Sequence, residues 1–132
     1  ISDFIGKFAN GVRMYRFRFV ATAEMTKNNP YGIIINLEKI PFFEGARELS
    51  SNKVKSSLFP QNIDVPHEVG RNIKNDPRFD LCFDPQTAGG FLLSIKADKA
   101  NHCVETLRKL GYSRCCEIGT VVDSHNGVKI CL

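Results

Sequence analysis

The sequence predicts an α+β domain, a mixed α/β two-layer fold in which a single sheet is packed with helices. Three observations carry that expectation. Gly32-Ile33-Ile34-Ile35-Asn36-Leu37 is a short β-branched run behind the turn signal Asn28-Asn29-Pro30, as in a strand covered on both faces. Residues 98–110 place Ala100, Cys103, Val104, Leu107 and Leu110 at spacings of three and four, the stripe of an amphipathic helix. Residues 118–122 and 128–131 flank Asp123-Ser124-His125-Asn126-Gly127, so they read as a hairpin with Asn-Gly at its turn.

The remaining elements follow in chain order. Arg13-Met14-Tyr15-Arg16-Phe17-Arg18-Phe19 alternates cations with apolar side chains, which predicts a two-faced strand with Tyr15, Phe17 and Phe19 inward and Arg16 and Arg18 in water. Pro41 ends the run at 32–37, and residues 42–51 read as a short helix with Phe42, Phe43, Ala46 and Leu49 on one side. From 56 to 78 periodicity disappears while Pro60, Pro66, Gly70 and Pro77 accumulate, predicting a long irregular connection with one helical turn near 67–72. Phe91-Leu92-Leu93-Ser94-Ile95 reads as a buried strand. In the helix after it, Asp98 is the expected N-cap and Gly111 the left-handed C-terminal cap.

Composition narrows the function classes. A chain of 132 residues supports one domain with a real core, and 42% hydrophobic against 24% charged residues is ordinary globular usage rather than disorder. The formal charge of +4 is a mild excess, drawn in part from Lys7, Arg13, Arg16, Arg18 and Lys27. It would favour anions but does not demand nucleic acid, and the strand reading of 13–19 is preferred to a base-stacking one. The five cysteines, Cys82, Cys103, Cys115, Cys116 and Cys131, form no CxxC pair and have no histidine at ligand spacing, so they read as buried reduced thiols rather than a zinc site. No stretch approaches the roughly 20 apolar residues that cross a bilayer, and 1–19 lacks the order of a secretory signal. The expected setting is a reducing one, the cytoplasm, with no membrane partner. A first residue of Ile rather than Met leads us to expect a piece of a longer protein or a processed chain.

One segment stands out chemically. Asp84-Pro85-Gln86-Thr87-Ala88-Gly89-Gly90 directly precedes the apolar run at Phe91. Two adjacent glycines let a ligand approach the backbone and expose N–H groups to an oxygen-rich anion such as phosphate. The same dipeptide also serves ordinary loop-to-strand turns, and neither GxxxxGK[ST] nor GxGxxG is present.

The run 84–90, continued by Phe91-Leu92-Leu93, resembles the DPQT[SA]GG signature of the selenophosphate synthetases (selenide, water dikinases). Ile33-Ile34-Ile35-Asn36-Leu37-Glu38-Lys39-Ile40-Pro41-Phe42-Phe43-Glu44-Gly45-Ala46 is similar to that family's strand, Ile-Pro step and Gly-Ala helix start, and Lys109-Leu110-Gly111-Tyr112 with Glu117-Ile118-Gly119-Thr120-Val121 is similar to its closing helix and strand. The resemblance runs from about Thr22 to the end, which sets 22–132 as an aminoimidazole ribonucleotide synthetase-like (PurM-like) carboxy-terminal domain and 1–21 as a divergent or frayed opening segment. It implies ATP-dependent conversion of selenide and water to selenophosphate, AMP and phosphate. It implies ATP and Mg2+ as cofactors of the complete enzyme, with none held by this lobe alone, an amino-terminal ATP-binding lobe as partner in the same or a separate chain, and a homodimer in the complete enzyme. Asp84, Gln86, Thr87, Gly89 and Gly90 are the implied phosphate- or nucleotide-adjacent residues.

Departures from the family pattern matter equally. None of the five cysteines is followed by Gly-Lys, so the nucleophile loop has no counterpart, no catalytic residue is assigned and the piece is expected to be inactive alone. Ser2-Asp3-Phe4-Ile5-Gly6 only echoes the family's metal-binding opening, so Asp3 reads as a terminal aspartate rather than a magnesium ligand. His67, His102 and His125 read as surface residues, and Asp76, Asp80 and Asp84, interrupted by Pro77 and Pro85, as turn residues rather than a metal face. Two alternatives stay open: a lobe of another ATP-dependent PurM-like synthetase or kinase, and a non-catalytic binding or assembly module.

Overall fold

Three consecutive isoleucines make β2 (Gly32–Asn36) the natural centre of a sheet. In the computed structural model, which describes residues 15–16, 19–27, 30–64, 67–84, 91–123 and 127–132, it takes that place. The other strands are β3 (Glu68–Val69), β5 (Gly119–Val122) and β6 (Gly127–Cys131), and the order is β3-β6-β2-β5. β6 runs parallel to β2 and β3 parallel to β6, while β5 runs antiparallel to β2.

Register decides which face is core. Ile33 lies opposite Val121 and Val128, and Ile35 opposite Gly119 and Ile130, so period-two alternation sends Ile33, Ile35, Val128 and Ile130 into one buried layer. The other face carries Ile34 between exposed Thr120 and Lys129, and Lys129 pairs with Glu68 at 4.0 Å. Glycine is required at 119, since a Cβ there would lie 2.3 Å from the Ile34 carbonyl oxygen. β2 ends when the Asn36 side chain accepts the N–H groups of Glu38 and Lys39, turning Leu37–Lys39 into one 3₁₀ turn.

The predicted hairpin is therefore corrected. Its two strands exist, but β2 lies between them. The three isoleucines hydrogen-bond on both sides, and a two-strand reading leaves one of those sides unpaired.

Helices cover the buried face. α1 (Phe19–Thr26) packs on β6, β2 and the later helix Pro77–Phe83, and buries Thr22, Met25 and Thr26. α2 (Ala46–Ser51) lies on α4 (Pro77–Phe83), and α3 (Phe59–Ile63) touches α4 as well. Phe59, Phe79, Cys82 and Phe83 join the sheet's isoleucines in one apolar core. A separate antiparallel ribbon pairs β1 (Tyr15–Arg16) with β4 (Phe91–Leu92). α5 (Ala97–Lys109) connects β4 to β5.

Other local expectations also shift. Phe19 opens a helix rather than ending a strand, so the strand at 13–19 is reduced, among described residues, to Tyr15–Arg16. Gly45 at φ +76° starts α2 four residues later than predicted, which leaves Phe43 outside the helix and exposed. The stretch at 56–78 is not irregular: it holds α3, β3, the 3₁₀ turn Ile73–Asn75 and the start of α4. Pro60 and Pro77 sit in first turns, where a missing N–H costs nothing, so prolines read as breakers are helix starts. The strand at 91–95 stops at Leu92, and Leu93 and Ile95 are exposed. α5 begins behind Lys96 without a side-chain cap, placing Asp98 in its first turn. Its other end is as predicted: Gly111 has φ +100°, with the Gly111 N–H on the Arg108 carbonyl and the Tyr112 N–H on the Leu107 carbonyl, a Schellman closure. No helix among the described residues is long and apolar enough to cross a membrane.

Candidate functional site

The described part of the signature is Asp84, and α4 positions it. Asp76 caps this helix, accepting the Arg78 backbone N–H at 2.9 Å and its guanidinium at 2.6 and 2.9 Å. The side-chain hydrogen bond from Arg78 holds the Asp76 carboxyl below the usual range, against the opposing effect of burial. The same bond raises the Arg78 pKa. One turn on, Asp80 pairs with Lys55 at 2.8 Å, and the Lys55 ammonium lies 3.9 Å from the centre of the Phe59 ring. At the far end Asp84 Oδ1 accepts the Ser56 backbone N–H at 2.9 Å, and Asn62 Nδ2 donates to the Phe83 carbonyl at 2.7 Å.

Of Asp76, Asp80 and Asp84, expected as turn residues, only Asp80 lies within the helix, and the other two flank it. Asp76 caps the start of that helix, Asp80 is an ion-pair partner inside it, and Asp84 follows its last residue, with Pro77 at the opening position. Each carboxylate has its own partner. Among the described residues no three His, Cys, Asp or Glu side chains gather where they could hold a metal ion.

The other candidates divide. Gln86, Thr87, Gly89 and Gly90 lie outside the described residues, as do Asp3 and His125. The segment 85–90 joins the end of α4 to β4, where Arg16 faces Phe91 and Tyr15 faces Leu92. His102 is exposed as expected. His67 is half-buried rather than fully exposed, its ring centre 4.9 Å from that of Phe83 and 5.9 Å from that of Phe79. Of the thiols only Cys82 is buried, and burial pushes its pKa up to about 12. A thiol held protonated this way is no nucleophile. Cys103, Cys115, Cys116 and Cys131 are partly exposed, contrary to the expectation of burial. Cys116 donates to the Lys39 carbonyl, and burial, with Cys115 beside it, raises its pKa.

Lys55, Ser56 and Asn62 are the residues sequence reading missed. They stand more than 20 positions before the groups they hold, and the one local signal nearby is Pro60 as a helix opener. A polar groove of about 270 Å³ beside Lys53, Lys74 and Asn75 lies toward the other end of α4 from Asp84.

Comparison with known proteins bears on this arrangement. Residues 19–131 match the model of the AIR synthase related protein, C-terminal domain. The chain is 35% identical over 81 residues to a selenide, water dikinase of Caldanaerobacter subterraneus, covering 59% of this chain and 24% of that protein. It is 32% identical over 104 residues to the selenide, water dikinase of Clostridioides difficile and 31% identical over 104 residues to that of Clostridium botulinum. Those two alignments cover 76% of this chain and 30% and 29% of the relatives. The chain thus spans less than a third of the length of the curated relatives it matches. With a mixed four-stranded sheet under a helical layer and a family match across nearly its whole length, the chain belongs to the AIR synthase-related C-terminal domain family.

Proposed function

We propose that the chain is the carboxy-terminal lobe of a selenide, water dikinase, an enzyme that converts ATP, selenide and water to selenophosphate, AMP and phosphate. The observation that carries this reading is the string 84–90 in a chain whose matched relatives bear that name. In this reading Gln86, Thr87, Gly89 and Gly90 approach the polyphosphate, where glycine backbone N–H groups neutralise developing charge. Phosphoryl transfer depends mainly on such positioning and electrostatic stabilisation.

The complete enzyme would use ATP and Mg2+. Asp76, Asp80 and Asp84 do not fit a magnesium site, since they are engaged by Arg78, Lys55 and Ser56, and no three candidate ligands gather elsewhere among the described residues. Metal binding is therefore assigned to an amino-terminal ATP-binding lobe, on the same or a separate chain, which also supplies the nucleophile. The lone lobe is inactive, the complete enzyme is a homodimer, and the setting is cytoplasmic. Supplying the amino-terminal lobe in trans should give selenide-dependent AMP release that neither part shows alone. A folded, associated pair without that activity overturns the reading.

A further inference from the structure

We propose that Asp84 is a positioning residue, acting through the Ser56 backbone rather than on phosphate or metal, and that segment 55–62 is the strap that holds this end of α4. Three contacts converge from the strap on the last turn of the helix: Lys55 on Asp80, Asn62 on the Phe83 carbonyl, and the Ser56 N–H on Asp84. Asn62 satisfies one of the carbonyl groups that a helix end leaves without a partner. Phe59, at the first position of α3, anchors the strap by packing edge-on to Phe83 with centroids 6.5 Å apart. Asp84 itself is extended, φ −73° and ψ 127°, as a residue before proline prefers. The direction in which the chain leaves α4 is therefore set by strap contacts that reach across 21 to 28 positions of sequence.

What Ser56 contributes is its backbone. Its hydroxyl is buried and makes no hydrogen bond among the described residues, while its N–H meets Asp84. The Asp84 carboxylate lies at a helix C-terminus, where the macrodipole disfavours negative charge. An amide oxygen would accept the same hydrogen bond without that charge.

The activity readout rests on the function proposed above, and the exchange readout does not. In the lobe assembled with its amino-terminal partner, Asp84→Ala and Asn62→Ala should each lower kcat/KM for ATP about tenfold, the effect of one lost buried hydrogen bond, while Asp84→Asn and Ser56→Ala stay within about threefold of the parent. Asp84→Asn failing as badly as Asp84→Ala would show that the charge is needed and overturn the proposal. So would Asn62→Ala without effect beside an impaired Asp84→Ala. In the lone chain, exchange of the Ser56 amide should accelerate in Asp84→Ala and stay slow in Asp84→Asn, with core amides unchanged in both. An unaltered Ser56 amide in Asp84→Ala sinks the strap whatever the activity. A silent parent pair with the exchange pattern intact removes only the selenophosphate reading.

Discussion

α4 and α5 make opposite use of their side chains. α4 has 7 residues, three of them buried, and Asp80 within it and Asp76 and Asp84 at its two ends are each paired with a different partner. α5 has 13 residues, a clean apolar stripe and a Schellman closure, yet none of its residues is buried. Ala100, Cys103, Val104 and Leu107 are half-covered, and Leu110 is 70% exposed. The difference teaches that amphipathic periodicity reports what a helix can bury, whereas burial depends on what the rest of the chain brings to it. The short helix won the core because Phe79 and Phe83 meet Phe59, His67 and the sheet.

Substitution of the two helices should separate them most widely in the core. Phe83→Ala is expected to cost about 3–5 kcal/mol in denaturant unfolding, whereas Leu107→Ala on α5 should cost about 1 kcal/mol. Equal losses would erase the contrast.

The caps should differ next. Asp76→Ala removes a side-chain cap and should cost about 1 kcal/mol, while Asp98→Ala removes only a first-turn charge and should cost about 0.3 kcal/mol. The pH dependence has a definite sign. The folded-state pKa of Asp76 is lowered from 3.8, so its stabilisation is fully present above that value and is lost as pH falls through the folded pKa. Thermal unfolding below about pH 4 should therefore fall less steeply in Asp76→Asn than in the parent, and parallel acid limbs would refute the Arg78 pair.

A similarly small effect is expected at the end of α5. Leu110→Lys should change unfolding free energy by no more than about 0.5 kcal/mol, as at an exposed position. A larger loss would show that the stripe of α5 is covered after all, narrowing the gap between the helices.

How much was legible follows the range of the interactions. β2, the helix at 97–109 and the glycine closure at Gly111 were readable because side-chain periodicity and caps act over a few residues. The same local reasoning misjudged Pro60 and Pro77, since a proline alone does not say whether it ends a helix or opens one. At the candidate site the string 84–90 was visible as a pattern, but the engagement of Asp84 was not, because its partner is the backbone N–H of Ser56, which no residue type announces.

The sequence by itself determined the two-layer class, the central β-branched strand and the family pattern, all properties of contiguous segments. Only the tertiary structure decided that β2 lies between β6 and β5, that His67 packs on phenylalanines, and that the strap at 55–62 grips α4. The physical reason is that such contacts join residues far apart in the chain, where pairing is selected by the burial and hydrogen bonding of the whole assembly rather than by local preference.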